Sequence, residues 1–303
     1  MADEYPLIDS RVVARYRSNY SLSQDIGADH VRAHYELETQ LTRKLLDSTS
    51  ETRWNTFSTA YTELYQSLPW LNAVSEDDRR KRDYSHWLKL IPQKSRIYEI
   101  GSGQARLLRY LSSQGHECVA TEITKERGEK HAQDLSGVAW HVSDGINLAE
   151  FEPPDSYDVV ISTQVIEHLH PDDIETHFHN VRAILKPGGR YIFDTPHRGA
   201  GPFDLSLVFG FDRAMFMHLK EYDFPTLVNI LKMAGFKDIQ AVLYRSLNGF
   251  KIGPFYGRVF RTYCETMDRL FTSADLPPRL EQKIRRVLRY ALLPTNIWLT
   301  GRK

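Results

Sequence analysis

The chain has 303 residues, 41% of them hydrophobic, enough to bury a sizeable core as one large or two modest domains. Lysine plus arginine and aspartate plus glutamate balance at 39 each, which excludes an overall field drawing the molecule to nucleic acid or an anionic membrane. Two cysteines without metal-ligand spacing exclude a disulfide framework and a cysteine zinc site, and an acidic N-terminus with no long apolar run predicts a cytoplasmic protein.

Apolar and aromatic residues recur at three- and four-residue spacing over Val31–Leu46 and Trp54–Leu68, which predicts amphipathic helices within a helical N-terminal region, residues 1–93. A charged run, Glu76–Asp83, and a short helix around Tyr84–Leu90, stopped by Pro92, form the hinge to a second domain over 94–303. There, β-rich runs at Arg96–Ile100, Glu117–Glu122, Val138–Val142, Tyr157–Ser162 and Arg190–Thr195 alternate with helices. The helices are predicted at Arg106–Ser113, Lys125–Asp134 and Asp172–Leu185, the last stopped by Lys186-Pro187-Gly188-Gly189. Alternation of this kind predicts an α/β fold with a mostly parallel sheet covered on both faces. Helix Thr226–Ala234 ends at Gly235 and leads to a strand at Asp238–Tyr244, and Asn296–Gly301 is a closing strand. Residues 246–293 between them are too many for a hairpin loop and too periodic for a structureless one, so they read as a helical insertion.

Glu99-Ile100-Gly101-Ser102-Gly103 falls where the first strand should end and a helix begin. Glycines there let the chain turn sharply and let a ligand approach the backbone, while the helix start offers free N–H groups. Glu122 ends the second strand, where a carboxylate accepts both hydroxyls of a ribose. Asp144, in Ser143-Asp144-Gly145 after the third strand, is placed to receive an adenine amino group. Each feature alone is weak, since strand ends commonly carry acids; three in order point to a nucleoside.

Together with Tyr157-Asp158-Val159-Val160, Ile166-Glu167-His168-Leu169 and Leu185-Lys186-Pro187-Gly188-Gly189, these residues resemble the class I S-adenosylmethionine-dependent methyltransferase superfamily. The similarity is to its small-molecule branch, which includes the ubiquinone-biosynthesis O-methyltransferases, and it covers roughly residues 94–245. The resemblance implies a Rossmann-like, seven-stranded, mostly parallel sheet with an antiparallel final strand. It implies S-adenosylmethionine as cofactor, held by Glu99, Gly101, Ser102, Gly103, Glu122, Ile123, Asp144, Gly145, Ser162 and Thr163. Glu99 would steady the glycine loop and reach the amino-acid end, with Gly101 and Gly103 beside its carboxylate and sulfonium. Glu122 would hold the ribose, Asp144 the adenine, and the backbone near Ser162 and Thr163 the methionyl side. A nicotinamide dehydrogenase competes, but its fingerprint needs a small residue where Arg106 stands, and it leaves Asp144 without a role.

Methyl transfer is an in-line displacement, so alignment and exclusion of water matter most, and an oxygen acceptor also needs its proton removed. His168 after strand four, His197 after strand five and His218 before the next helix are candidates for that base, or for capping and solvated positions. Tyr222 either positions an acceptor or belongs to the core. Metal-binding members of the superfamily carry a glutamate three residues before the position of Glu167, completed by a histidine such as His197 or His218. Here Gln164 stands at that place, and loss of a carboxylate weakens a magnesium site, so no metal is expected.

Three segments are left to choose the acceptor: the N-terminal helices, the apolar loop Arg198–Lys220, which forms a lid or ordinary core, and the insertion. Basic residues outnumber acidic ones in the insertion, and Lys283–Leu293 would make a basic amphipathic helix that lies on anionic lipid, meets RNA phosphates or packs on its own domain. The first expectation is a methyltransferase for a small-molecule acceptor, with O-methylation favoured by the histidines. The alternatives are an RNA- or other macromolecule-modifying enzyme using the basic insertion, and a cofactor-binding protein without transfer activity.

Overall fold

A computed structural model describes residues 6–72, 83–124, 138–247, 250–273 and 292–303. The charged run Glu76–Asp83 up to its last residue, the helix expected over Lys125–Asp134 and the basic stretch Lys283–Leu293 up to Leu292 lie outside these residues. The chain divides into two compact units, one of Met1–Arg82 with Gly201–Leu219, the other of Asp83–Ala200 with Lys220–Lys303. The division thus falls near 82 rather than 93, and the loop after residue 200 joins the N-terminal helices in one unit.

In the first unit, α1 (Ser10–Tyr20) starts at Asp9, whose side chain accepts the Arg11 and Val12 N–H groups, two of the donors a helix start leaves unpaired. It is followed by α2 (Ala28–Leu46) and α3 (Arg53–Ser67). Val12, Tyr16 and Val31 form a core with Leu205, Val208 and Phe216 of the apolar loop, so most of the loop's large side chains are packed, with Met215 left exposed. A buried polar chain crosses this core. Trp70 Nε1 donates to the Tyr16 hydroxyl (2.9 Å), which lies 2.9 Å from His34 Nδ1, and His34 Nε2 lies 2.7 Å from Glu38. An indole only donates and a carboxylate only accepts, so the His34 proton sits on Nε2 and Tyr16 donates to Nδ1.

The second unit holds one sheet: β1 (Arg96–Ile100), β2 (Glu117–Glu122), β3 (Val138–Val142), β4 (Tyr157–Thr163), β5 (Leu185–Pro196), β6 (Lys237–Leu247), β7 (Phe250–Gly257) and β8 (Asn296–Arg302). Their order is β3-β2-β1-β4-β5-β8-β6-β7; β1 to β5 are mutually parallel, and β8 runs antiparallel to both β5 and β6. The sheet is therefore Rossmann-like and mostly parallel with an antiparallel final strand, but it has eight strands, not seven. The additional strand is β7, which pairs antiparallel with β6 inside the segment expected to be wholly helical. Gly253 and Pro254 disguise it as a turn; an edge strand tolerates proline because one side of its ladder has no neighbour to receive an N–H. Within the described residues the segment is helical over α7 (Arg258–Ser273), and residues 274–291 of the expected insertion lie outside them.

Strands β1, β4 and β5 are buried on both faces, as near-continuous apolar runs require. One face packs Tyr98, Val160, Tyr191 and Phe193 against α5 (Ile174–Ile184) and α6 (Phe224–Met233). The other packs Ile97, Val159, Ile161 and Ile192 against α4 (Arg106–Ser113) and the turn that carries Trp87. That turn, Ser85–Lys89, is 3-10 rather than the α-helix expected there. No helix among the described residues is long and apolar enough to cross a membrane.

Candidate active site

The parallel strands all end at one edge, and the residues singled out after β1, β2 and β3 meet there. Gly101 and Gly103 have φ of +65° and +56°, so the chain turns through the left-handed region twice within three residues. The turn is tied to β2 by Ser102 N–H donating to the Thr121 carbonyl (2.8 Å) and Gly103 N–H donating to Glu122 Oε1 (2.6 Å). Glu122 therefore already holds one amide of the glycine turn and, at 3.3 Å, that of Ile123 through Oε2; a carboxylate has about four lone-pair sites, so further hydroxyls can be accepted. From β3, Ser143 N–H donates to the Glu122 carbonyl (2.9 Å), which places the Asp144 turn beside it.

Asp144 is oriented by its own turn: Oδ1 accepts from Ile146 and Asn147 N–H (2.8 and 2.9 Å), and Oδ2 from the Asn147 carboxamide (2.7 Å). One lone pair of Oδ2 is left over for a ligand. Gly145 is held from below by a relay absent from the sequence reading. Its carbonyl is 2.5 Å from His177 Nδ1, His177 Nε2 is 2.8 Å from the Tyr191 hydroxyl, and Tyr191 is 2.7 Å from Ser162 Oγ. A carbonyl can only accept, so the His177 proton sits on Nδ1, Tyr191 donates to Nε2, and Ser162 donates to Tyr191. Burial lowers the His177 pKa to about 4 and keeps the ring neutral, which fixes these directions. A histidine on the apolar face of a helix, between Ile174, Phe178 and Val181, was the available signal.

Glu99 is enclosed, and its Oε2 has no hydrogen-bond partner among the described residues. Burial, and then the nearby Glu122 carboxylate, pushes its pKa up to about 8; burial pushes Glu122 up to about 7 against the Gly103 and Ile123 amides, which act to lower it. Both folded values exceed the ordinary 4.5, so the native protein binds protons that the unfolded chain has released. The stabilisation is complete below the unfolded value and lost as pH rises through 7 and 8. The melting temperature of the cofactor-free protein is therefore expected to rise as pH falls from 8 to 6, with a shallower dependence in Glu99→Gln; a melting point that instead falls over that interval contradicts the assignment.

The three histidines are placed differently. His168 lies in the 3-10 turn Ile166–His168 of the second unit, partly exposed, with Nε2 4.0 Å from Glu167 Oε1. The Glu167 carboxylate is buried and accepts from Thr195 Oγ1 (2.9 Å). His197 is fully buried with Nε2 2.9 and 3.1 Å from the Asp268 carboxylate, which also accepts the Phe224 N–H; it braces β5 against α6 and α7. His218 belongs to the first unit, where its charge acts on the buried Asp204. Tyr222 is also buried, its phenol pushed up by that burial. Thr163 is at the end of β4 and half-buried, whereas Ser162 is enclosed within the relay.

Residues 76–241 match a family model described as a methyltransferase domain. The chain is 25% identical to a tuberculostearic acid methyltransferase of Mycobacterium tuberculosis, over 55% of this chain and 39% of that protein. It is 22% identical to a ubiquinone biosynthesis O-methyltransferase of Ralstonia nicotianae, over 59% of this chain and 75% of the relative. It thus spans about two fifths of the first relative's length and three quarters of the second's. A solved S-adenosylmethionine-dependent methyltransferase from Archaeoglobus fulgidus is similar over 72% of this chain and 90% of its own, at 17% identity and a TM-score of 0.49.

Proposed function

The chain belongs to the methyltransferase-domain family, as a class I enzyme that takes its methyl group from S-adenosylmethionine, and from that premise we propose that it methylates an oxygen of a small-molecule acceptor. The carrying observation is the contact of Gly103 N–H with Glu122 at 2.6 Å, which folds a left-handed glycine turn onto the carboxylate that ends β2. When bound, S-adenosylmethionine supplies a methyl carbon on positively charged sulfur, open to attack from the side opposite that sulfur. Glu122 accepts the ribose hydroxyls, the remaining lone pair of Asp144 takes the adenine amino group, and the unpartnered Glu99 Oε2 faces the amino-acid end. The fit is supported by the glycines: a side chain at Gly101 would press into Val165 and close the approach to the backbone.

Oxygen as the methylated atom rests on the O-methyltransferase name of several relatives and on His168, a partly exposed histidine at this edge of the second unit. His168 holds the acceptor hydroxyl and receives its proton, with Glu167 Oε1 4.0 Å from its Nε2. His197, sealed against Asp268, serves as a brace rather than a base. Transfer of labelled methyl to a panel of phenols and catechols tests the reading. His168→Ala is expected to lower turnover by at least about a hundredfold while S-adenosylhomocysteine affinity, measured by calorimetry, stays within about twofold; unaltered turnover removes His168 from the chemistry.

A further inference from the structure

Besides the acids at the ends of β2 and β3, Asp194 stands near the end of β5, two residues before Pro196. Register places it. Ile100 pairs with Ser162 and Ser162 with Phe193; one residue on, Thr163 pairs with Asp194. Asp194 therefore stands in the row of Gly101, two strands away, which at the usual strand spacing is about 10 Å. Alternation along the strands puts it on the sheet face of Ile192, and Glu99 on the face of Ile97; Ile97 and Ile192 share one core, so the two carboxylates lie on the same side.

Between them is the loop after β4. Gly101 is packed against Val165, and the preceding Gln164 is held at φ +54°, a left-handed conformation rare for a residue with a side chain. That conformation is secured twice, by Gln164 N–H donating to the Asp194 carbonyl (3.0 Å) and Gln164 Nε2 donating to Asp194 Oδ2 (2.7 Å). The Asn296 carboxamide approaches the same Oδ2 from β8 at 3.4 Å. Both carboxamides must turn their NH2 groups to the carboxylate, which leaves, beside the second N–H of each, their two carbonyl oxygens and Asp194 Oδ1 on offer. These three oxygens are acceptors, and only Asp194 carries a charge. Asp194 is only half-buried, yet its carboxyl is pushed up to about 6 by desolvation against the two carboxamides, and it remains mostly ionised at neutral pH.

We infer that Asp194, bracketed by Gln164 and Asn296, is a second polar wall of the active site that receives the O–H, N–H or ammonium donor of the methyl acceptor. The inference rests on the cofactor reading, since the row of Gly101 is where the methyl group would be presented. It selects acceptors that carry a hydrogen-bond donor at or beside the methylated atom, and it disfavours carboxylates and phosphates brought against an anion.

Two cofactor analogues test this without an identified acceptor. S-adenosylhomocysteine lacks the methyl group, whereas sinefungin carries a protonated amine in place of the transferred methyl group, on a carbon that replaces the sulfur. In the 303-residue chain sinefungin is expected to bind at least about tenfold more tightly than S-adenosylhomocysteine, and Asp194→Asn to reduce that preference by about tenfold with S-adenosylhomocysteine affinity unaltered. A preference near one in the wild type, or one that survives in Asp194→Asn, overturns the inference. If the variant fails to fold, a wild-type crystal structure with sinefungin decides: an ammonium within about 6 Å of Asp194 Oδ1 supports the wall, and a greater distance overturns it. Failure of the wild type to bind S-adenosylhomocysteine at all would instead remove the cofactor reading beneath it.

Discussion

Glu122→Ala is expected to lower S-adenosylmethionine affinity by at least about a hundredfold, because it removes charge-assisted hydrogen bonds to two ribose hydroxyls worth roughly 1.5 to 3 kcal/mol each. The structure adds a second reason for a large effect. Glu122 Oε1 also accepts the Gly103 N–H at 2.6 Å, so the alanine variant releases the glycine turn as well as the sugar. Glu122→Gln separates the two contributions: its carbonyl oxygen can still hold Gly103, while the charge that strengthens the ribose contacts is gone. Calorimetry with S-adenosylhomocysteine should rank wild type above glutamine above alanine. Equal affinity of all three would sink the assignment of Glu122 to the ribose.

Gly101→Val is expected to abolish measurable cofactor binding and to destabilise the fold by roughly 1 to 3 kcal/mol. Two effects add. At φ +65° a β-branched residue is badly strained, and a Cβ there would come within 2.7 Å of Val165 Cγ2. Valine is stiff at χ1, so Val165 cannot swing away without moving the loop after β4. Gly101→Ala should show the same loss of binding with a smaller fall in melting temperature. A valine variant that melts with the wild type and retains S-adenosylhomocysteine would show that the turn takes another path.

Much of this was legible beforehand because the residues concerned act locally. The five parallel strands and the helix Arg106–Ser113 follow from runs of apolar residues and from breakers beside them. The glycine turn and the acids after β2 and β3 were found by position at strand ends. The expected seven strands failed at β7, where Gly253 and Pro254 read as punctuation although the strand only needed one paired side. Asp194 was overlooked because it lies inside β5, two residues before its end, and His177 because a histidine on an apolar helix face looks like filling until its partners are known.

The sequence by itself determined the kinds of element, their order and the nucleoside-binding signature, since periodicity, turn chemistry and glycine conformation are properties of neighbouring residues. Only the tertiary structure decided that Glu122 holds the turn of Gly103, that His177 joins Gly145 to Tyr191, that His197 is consumed by Asp268, and that Gln164 and Asn296 bracket Asp194. Most of these partners are separated by tens of residues along the chain, and a hydrogen bond reaches about 3 Å. Which of them meet is set by strand order and register, and those come from the packing of the whole sheet rather than from any stretch of it.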